Sequence, residues 1–391
     1  MQIERYEMNI LVLVPTPFPY GVAISSRMVH FCKLLSHMGN KVHVIALCSK
    51  ENRELNEIYS LDYCTYQIAA KKINALKESF VGNPEFVDAV KQYLEKEPVD
   101  VVFMCGVEEY FRRIVKLCST RGIPFYIEQC EWMDVSSYRL GKFDYRMWRR
   151  DYLLHHGYKK VSGVVSISRM LDDHYRSLGI RSVRIPTILD VMSTEYVTQK
   201  KNEYLTIVYT GNPSTSKELF RPVFLAIQKH ELLRQRISFH IYGPDRQKVL
   251  ANIGGDTDLL NDVENNVKIC GRVPQEKIPD ILRNADYQLF LRPSRRSSNA
   301  GFPTKFAEAM AVGTPVLTNN TGDIGLYLKD GENGILAKGS TADDVAEALL
   351  RAVSMNKEEA ILMRHAARKT AEQSFDYRCY SSQMAKLIGS K

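Results

Sequence analysis

The sequence has 391 residues, of which 45% are hydrophobic and 25% charged, and a formal net charge of +8. That length is too great for one comfortable hydrophobic core and predicts two soluble globular domains, while no apolar run approaches the ~20 residues of a membrane-spanning helix. The positive balance favours an anionic partner such as a nucleotide, a phospholipid surface or a nucleic acid, but neither a zinc-finger spacing nor an RNA-binding aromatic signature accompanies it.

At the amino terminus, Met1-Gln2-Ile3-Glu4-Arg5 lacks the basic-then-apolar layout of a signal peptide, and a cytoplasmic chain is expected. The eight cysteines are scattered without a C-x-x-C pair and read as reduced thiols. From Asn9 an apolar run (Ile10 to Val14) leads through the Pro/Gly-rich turn Pro15 to Gly21 into a helix opened by Ser25 or Ser26. Its apolar face is Met28, Phe31, Cys32, Leu35 and Met38, and Gly39 marks its end. Apolar runs at Val42 to Leu47, Val99 to Met104, Ile123 to Ile127 and Val161 to Ile167 then alternate with amphipathic stretches, the pattern of a parallel sheet covered by helices.

A second cycle starts near Leu205, with strands expected at Leu205 to Tyr209, Ile237 to Tyr242, Val267 to Cys270, Tyr287 to Leu291 and Pro315 to Leu317. Between the cycles, Ile185 to Tyr204 has no clear period and reads as a hinge. Helices follow near Thr341 to Ser354 and Lys357 to Gln373, the second capped by Asn356 with Glu359, and a last helix near Tyr377 to Ile388 has no partner strand. The expected division is residues 1–190, a hinge at 191–204, a second Rossmann-like domain at 205–375, and a terminal helix at 376–391 that crosses back to the first domain.

Open parallel sheets bind ligands at the carboxyl ends of their strands, which directs attention to the loops. Arg292 to Lys305 follows an apolar strand and runs into a helix from Phe306 to Val312, with Pro303 near its first turn and Gly313 at its end. The free amides and positive dipole end of such a helix suit a phosphate; Lys305 adds a charge, and Glu308 one turn on can accept two hydrogen bonds from a ribose diol. At this spacing a solvated Lys–Glu surface pair is the competing reading.

The run Gly301-Phe-Pro-Thr-Lys-Phe-Ala-Glu-Ala-Met-Ala-Val-Gly-Thr-Pro-Val316 resembles the donor-site motif of family 4 retaining glycosyltransferases of the GT-B fold, glycosyltransferases group 1. Tyr209-Thr-Gly-Asn-Pro-Ser-Thr-Ser-Lys217, Ile241-Tyr-Gly-Pro, Val267-Lys-Ile-Cys-Gly-Arg-Val273, Ala285-Asp286 and Gly331-Glu-Asn-Gly334 fall in that family's order. Pro19-Tyr20-Gly21 and Val164-Val-Ser-Ile-Ser168 fit in the first half.

The resemblance implies an α/β GT-B architecture of two Rossmann-like doubly wound domains facing across a cleft. It implies a nucleoside diphosphate sugar as donor, a hydroxyl acceptor on a glycan, lipid-linked glycan or protein glycan, retention of configuration, and no metal or other cofactor. Under it, Gly211, Asn212 and Lys217 with the amides around Gly301, Phe302, Pro303, Thr304 and Lys305 hold the diphosphate, Glu308 the ribose, and Gly271-Arg272-Val273 the base. Lys217, Lys305 and Glu308 are the candidate catalytic groups. Tyr20 and Gly21 face the acceptor side, where Glu128, Glu131 and Asp134 are carboxylates chosen from their position after a strand.

Two departures from the family pattern stand out: Ala300 occupies the place of a usual Glu and Asn212 that of a usual Arg. Arg292, Arg295, Arg296 or Lys305 can replace the missing positive charge, and the departures motivate a second reading, a catalytically silent binding subunit. A nucleotide-sugar epimerase is a third. Asp256-Thr-Asp258 matches a metal-binding D-x-D pattern but reads as a loop, and His155-His156, pointing about 100° apart on a helix, make a poor metal pair. The aromatic and basic stretch Phe143 to Lys160 suits either an anionic membrane surface, making the chain peripheral at the inner face, or a solvated helix on its sheet.

Overall fold

The computed structural model describes residues 7–70, 79–106, 108–197, 204–213 and 218–389. The chain divides into two compact units, Met1–Ile188 with Tyr377–Lys391, and Leu189–Asp376. Each is a doubly wound α/β unit.

In the first unit the strands are β1 (Asn9–Pro17), β2 (Lys41–Cys48), β3 (Tyr59–Leu61), β4 (Cys64–Ile68), β5 (Val101–Cys105), β6 (Phe125–Gln129), β7 (Gly163–Ser166) and β8 (Ser182–Arg184). They form one sheet in the order β3-β4-β2-β1-β5-β6-β7-β8. All neighbours are parallel except the β3–β4 hairpin. Leu11 to Val14 of β1 are fully buried, because a parallel sheet is covered on both faces and its central strands need apolar side chains on both. The order of the strands reverses between β1 and β5, which puts the carboxyl end of β1, and so the Pro17–Gly21 turn, at a topological switch point.

The second unit has β9 (Leu205–Thr210), β10 (Ile237–Tyr242), β11 (Val267–Gly271), β12 (Tyr287–Leu289), β13 (Val316–Asn319) and β14 (Gly334–Ala337). Its sheet is parallel throughout, in the order β11-β10-β9-β12-β13-β14. Here the reversal falls between β9 and β12. Ligand chemistry in this unit therefore belongs where the loop after β9 meets the loop after β12.

Several local expectations need correction. The first helix runs Ala23–His37 and starts before Ser25. The Ser25 hydroxyl accepts from the Val22 amide (3.1 Å) and donates to the Pro17 carbonyl (2.6 Å), so it ties the helix start to the turn from inside the first turn. Within Arg292 to Lys305, Arg296–Ala300 forms a short helix instead of continuous loop. Asp256-Thr257-Asp258 is a helix start rather than a loop: Asp256 caps the helix Thr257–Asp262 by accepting from the Leu259 amide (3.0 Å), and it pairs with Arg221 at 2.8 Å. The segment taken as a hinge is anchored in both directions. Ile185 and Ile188 lie in the core of the first unit, while Arg364 and Arg368 donate to the Val197 and Thr194 carbonyls, both at 2.9 Å. Residues 198–203 lie outside the described residues.

The chain's last helical stretch is a 3-10 turn, Tyr377–Tyr380, followed by the helix Ser381–Ile388. Tyr377, Tyr380, Met384 and Leu387 bury in the first unit's core with Phe31 and Leu35. Tyr126 Oη donates to the Leu387 carbonyl (3.3 Å), and Arg181 caps the same helix end through the Lys386 carbonyl (3.2 Å).

Candidate functional site

The second unit's switch point is built on glycines. The Gly211 amide donates to the Tyr242 carbonyl (3.1 Å) and the Gly243 amide to the Gly271 carbonyl (2.7 Å), linking the carboxyl ends of β9, β10 and β11 into one rim. A Cβ on Gly243 would lie 1.7 Å from the Gly211 carbonyl oxygen, so no side chain fits there. At Gly211, φ is +144° and an added Cβ would stand 3.0 Å from Lys305 Nζ, which shows how closely that ammonium approaches the turn.

Lys305 comes from the other side of the switch point, on the helix Thr304–Ala311 after β12. Its Nζ donates to Glu218 Oε1 at 2.7 Å and to Tyr209 Oη at 3.0 Å, and it lies 4.1 Å from the centre of the Tyr209 ring. Tyr209 Oη in turn donates to Glu218 Oε2 (3.2 Å). The Lys305 and Glu218 side chains are only 13% and 11% exposed, so this is an enclosed ion pair rather than a solvated surface contact. Burial lowers the Lys305 pKa, and Glu218 only partly restores it. For Glu218, burial alone would raise the pKa, but Lys305, with Arg292 and the Tyr209 hydroxyl, outweighs it and holds the carboxyl below its ordinary range. Glu218 was not among the residues singled out from the sequence, although it directly follows Lys217 and precedes the apolar Leu219-Phe220. A carboxylate in that position, beside a lysine expected to hold phosphate, is the signal that was there to read.

Pro303 is the N-cap of the Thr304–Ala311 helix and provides no side-chain hydrogen bond, so no side chain caps its first amides. Glu308, half-buried one turn on, has no hydrogen-bond partner among the described residues, and burial raises its pKa against the pull of Lys305. Phe302 contributes no side chain to this face. Its ring packs against Phe306, Tyr327 and Phe375 at 5.6, 5.3 and 5.6 Å and anchors the loop. Arg292 is buried too, donating to the Ser298 carbonyl (3.2 Å), and its backbone exchanges two hydrogen bonds with Asn319, both at 2.8 Å. The Ala300 methyl is fully buried at the end of the short helix, and Gly301 follows as its C-cap.

Of the remaining donor-side candidates, Lys217 lies outside the described residues. Asn212 and Arg272 are exposed and Val273 is half-buried. Gly271, with φ of +66°, ends β11 and joins the glycine rim. A recess of about 450 Å³ lies along edge strand β11, lined by Asp245, Arg246, Leu260, Glu264, Cys270 and Gly271 among others. It reaches the rim at Gly271 and contains neither Lys305 nor Glu308. We therefore locate the candidate site by the switch-point geometry.

The first unit separates its candidates. Tyr20 is 61% exposed at the turn after β1, and the Gly21 carbonyl accepts from Lys50 Nζ (2.8 Å). Glu131 is exposed, its carbonyl accepting from Gln129 Nε2 (2.6 Å), and Asp134 is half-buried at the start of the 3-10 turn Val135–Ser137. Glu128, expected on the acceptor side, is instead a core residue with no exposed surface. Its Oε1 meets Arg27 Nε at 2.5 Å, and the Cys130 thiol lies 3.0 Å from its Oε2. The same guanidinium donates to the Pro186 and Ile185 carbonyls at 2.5 and 2.9 Å. Burial works against the Arg27 charge, and Glu128 more than restores it, so the pKa of Arg27 is raised. This carboxylate is committed to a buried pair and presents nothing to an acceptor.

The aromatic and basic stretch divides by face. Arg149 and Arg150 pair with Glu109 and Glu108 at 2.6 and 2.5 Å and lock the helix Tyr145–His155 to the helix Glu108–Ser119. Tyr158 is buried. Leu140, Phe143, Tyr145, Trp148 and Tyr152 remain 53–79% exposed. His155 stacks edge-on with Trp132 and His174 at 5.5 and 4.9 Å between centroids. Among the described residues, no group of three or more His, Cys, Asp or Glu side chains is placed to hold a metal ion.

Comparison with known proteins bears on the family and the fold. Residues 205–355 match the family model described as glycosyl transferases group 1. The amylovoran biosynthesis glycosyltransferase AmsK of Erwinia amylovora is 33% identical over 130 residues, 32% of this chain and 31% of that protein. The putative colanic acid biosynthesis glycosyltransferase WcaL of Salmonella typhimurium is 26% identical over 230 residues, 57% of this chain and 50% of that protein. These matches span half or less of each relative's length. Among solved structures, sucrose-phosphate synthase from Thermosynechococcus elongatus superposes with a TM-score of 0.78 at 16% identity, covering 98% of each chain. HepE of Anabaena, in complex with UDP and glucose, gives 0.69 at 13%, covering 98% of this chain and 100% of that one. The resemblance drawn from the motifs therefore holds: the second unit matches the group 1 family, and the chain has the GT-B fold.

Proposed function

We propose that this chain is a glycosyltransferase that passes a sugar from a nucleoside diphosphate sugar to a hydroxyl acceptor, with retention of anomeric configuration. The observation that carries the reading is the second unit's switch point, where Lys305, from a helix start with no side-chain cap, reaches the Gly211 turn, with Glu308 one helical turn further on. Support comes from the family match of this unit and from relatives named for polysaccharide biosynthesis. The solved relative holding UDP and glucose points to the same donor class. In the reaction the diphosphate gains charge as the sugar–phosphate bond breaks. Lys217, Lys305 and the helix amides stabilise that charge electrostatically, and the helix amides do so without reorganising. The acceptor hydroxyl attacks on the face the diphosphate leaves, and a departing phosphate oxygen takes its proton.

The decisive measurement is release of nucleoside diphosphate from candidate nucleotide sugars without acceptor, in EDTA and again with magnesium or manganese. Slow release that survives EDTA is expected. Donor binding without release or transfer would mean a silent subunit, and interconversion of the sugar would mean an epimerase. Turnover abolished by EDTA and restored by the metals would overturn metal independence.

Glu308→Ala is expected to weaken nucleoside diphosphate binding about tenfold or more, the scale of hydrogen bonds to a charged acceptor. Its unfolding midpoint should not fall. Burial raises the Glu308 pKa, so its charged form is less favoured in the folded chain than in the unfolded one, and its removal is not expected to cost stability. Titration calorimetry with an unchanged dissociation constant would remove Glu308 from the site.

Under this reading the protein works in the cytoplasm and rests peripherally on an anionic bilayer. No helix among the described residues is long and apolar enough to cross a membrane. What supports the docking is the exposed set Leu140, Phe143, Tyr145 and Trp148 beside Lys142, apolar and aromatic groups with a cation at their edge. Co-sedimentation with vesicles containing phosphatidylglycerol should exceed that with pure phosphatidylcholine. A Phe143→Ser, Trp148→Ser protein should lose at least about tenfold in partitioning. Equal binding by the variant and the parent would discard the surface.

A further inference from the structure

We propose that Glu218 is a positioning residue: it holds the Lys305 ammonium, together with Tyr209, so that the remaining N–H of Lys305 meets the donor diphosphate at the Gly211 turn. The proposal rests on the glycosyltransferase reading and adds to it a residue that neither motif nor comparison assigns. An ammonium has three N–H donors. Two are taken, by Glu218 Oε1 at 2.7 Å and Tyr209 Oη at 3.0 Å, and the third has no protein partner among the described residues. Glu218 has no spare reach either, since its Oε2 accepts from Tyr209 Oη and its carbonyl accepts from Asn252 Nδ2 (2.9 Å). The ring of Tyr209 lies under Nζ, and Phe290 stands 5.6 Å away. Lys305 is thus held by Glu218 and Tyr209 close to Gly211, where an added Cβ would stand 3.0 Å from Nζ.

The clamp has an electrostatic consequence. Glu218 cancels the Lys305 charge, so Lys305 acts on the diphosphate through one aimed hydrogen bond rather than as a net cation. It also keeps the lysine protonated. The charged groups facing Lys305 among the described residues are Glu218, Arg292 and Glu308; burial and Arg292 disfavour the ammonium, while Glu218 and, less strongly, Glu308 favour it. Removing Glu218 leaves burial and Arg292 opposed only by Glu308, and the Lys305 pKa falls further. An opposite charge at this distance is worth about one to three pH units.

The test is Glu218→Gln, which keeps the shape and removes the charge. In the protein without ligand, the lysine side-chain NMR signal assigned by Lys305→Arg should titrate about one to three units lower in Glu218→Gln than in the parent. The alkaline limb of donor hydrolysis should move down by the same interval, with a loss of about tenfold per unit above it and recovery at lower pH as Lys305 regains its proton. A structural role alone would lower turnover equally at every pH. That pattern, or a Lys305 titration unchanged by Glu218→Gln, overturns the proposal.

Tyr209→Phe keeps the ring and the fold and deletes one acceptor, so it stands in should Glu218→Gln not fold. It should cost roughly fivefold in turnover and move the Lys305 titration in the same direction by less. Parental turnover and titration in Tyr209→Phe would likewise count against the clamp. If Lys305 titrates as expected but the parent turns over no nucleotide sugar, the transferase reading fails while the Glu218–Lys305 coupling stands.

Discussion

Arg27→Ala is expected to destabilise the first unit by about 3–5 kcal/mol, the cost of leaving a buried charge without its partner. Glu128 would stay behind with no exposed surface, between the thiols of Cys105 and Cys130, and the Ile185 and Pro186 carbonyls would lose their donor. One guanidinium therefore holds both the end of β6 and the stretch after β8. The double substitution Arg27→Met, Glu128→Met should be much milder than Arg27→Ala, because two apolar side chains of similar volume remove the buried charges together. Urea unfolding followed by a first-unit probe such as Trp132 or Trp148 would check both. An Arg27→Ala protein within about 1 kcal/mol of the parent would show that the pair contributes little, as surface pairs do.

Lys217→Ala is expected to lower kcat by roughly 10²-fold, with a smaller change in the donor dissociation constant. Under the transferase reading, with Lys305 neutralised by Glu218 at 2.7 Å, the excess positive charge expected opposite the diphosphate is that of Lys217 and of the amides at the start of the Thr304–Ala311 helix. The leaving diphosphate is more negative in the transition state than in the bound donor, so a cation facing it affects turnover more than binding. Single-turnover kinetics with the identified donor separate the two quantities. Parental turnover in Lys217→Ala would assign this lysine to the solvated surface.

The sheets were legible because a buried parallel strand must be apolar on both faces, as Leu11 to Val14 and Val101 to Cys105 are. The strands that escaped notice are short or mixed. Cys64–Ile68 alternates with polar residues beside the sheet edge, Ser182–Arg184 has one apolar residue, and Gly334–Ala337 hides behind a turn motif. The donor helix was found through its motif, while the clamp on its lysine was not. Glu218 and Lys305 are 87 positions apart, and Arg27 and Glu128 are 101 apart. Ion pairs across such separations leave no period in the chain; only the strand order brings them together. The same limit explains Glu128, whose place after an apolar run suits a reacting carboxylate and a buried structural one equally well. Phe302 is a similar case. In the motif it looks like part of a ligand loop, and its aromatic cluster with Phe306, Tyr327 and Phe375 appears only when distant segments of the chain are packed together.

The return of the chain to the first unit after Asp376 reverses the order in which the two units are completed during synthesis. The second unit is one continuous stretch, Leu189–Asp376, and has all its strands once Ala337 has been made. The unit begun earlier waits longest, because Tyr377, Tyr380, Met384 and Leu387 fill its core from the far end of the chain. Until those side chains arrive, the apolar face of the helix Ala23–His37 lacks part of its cover, and that face is the surface most open to chaperones or to self-association on a ribosome.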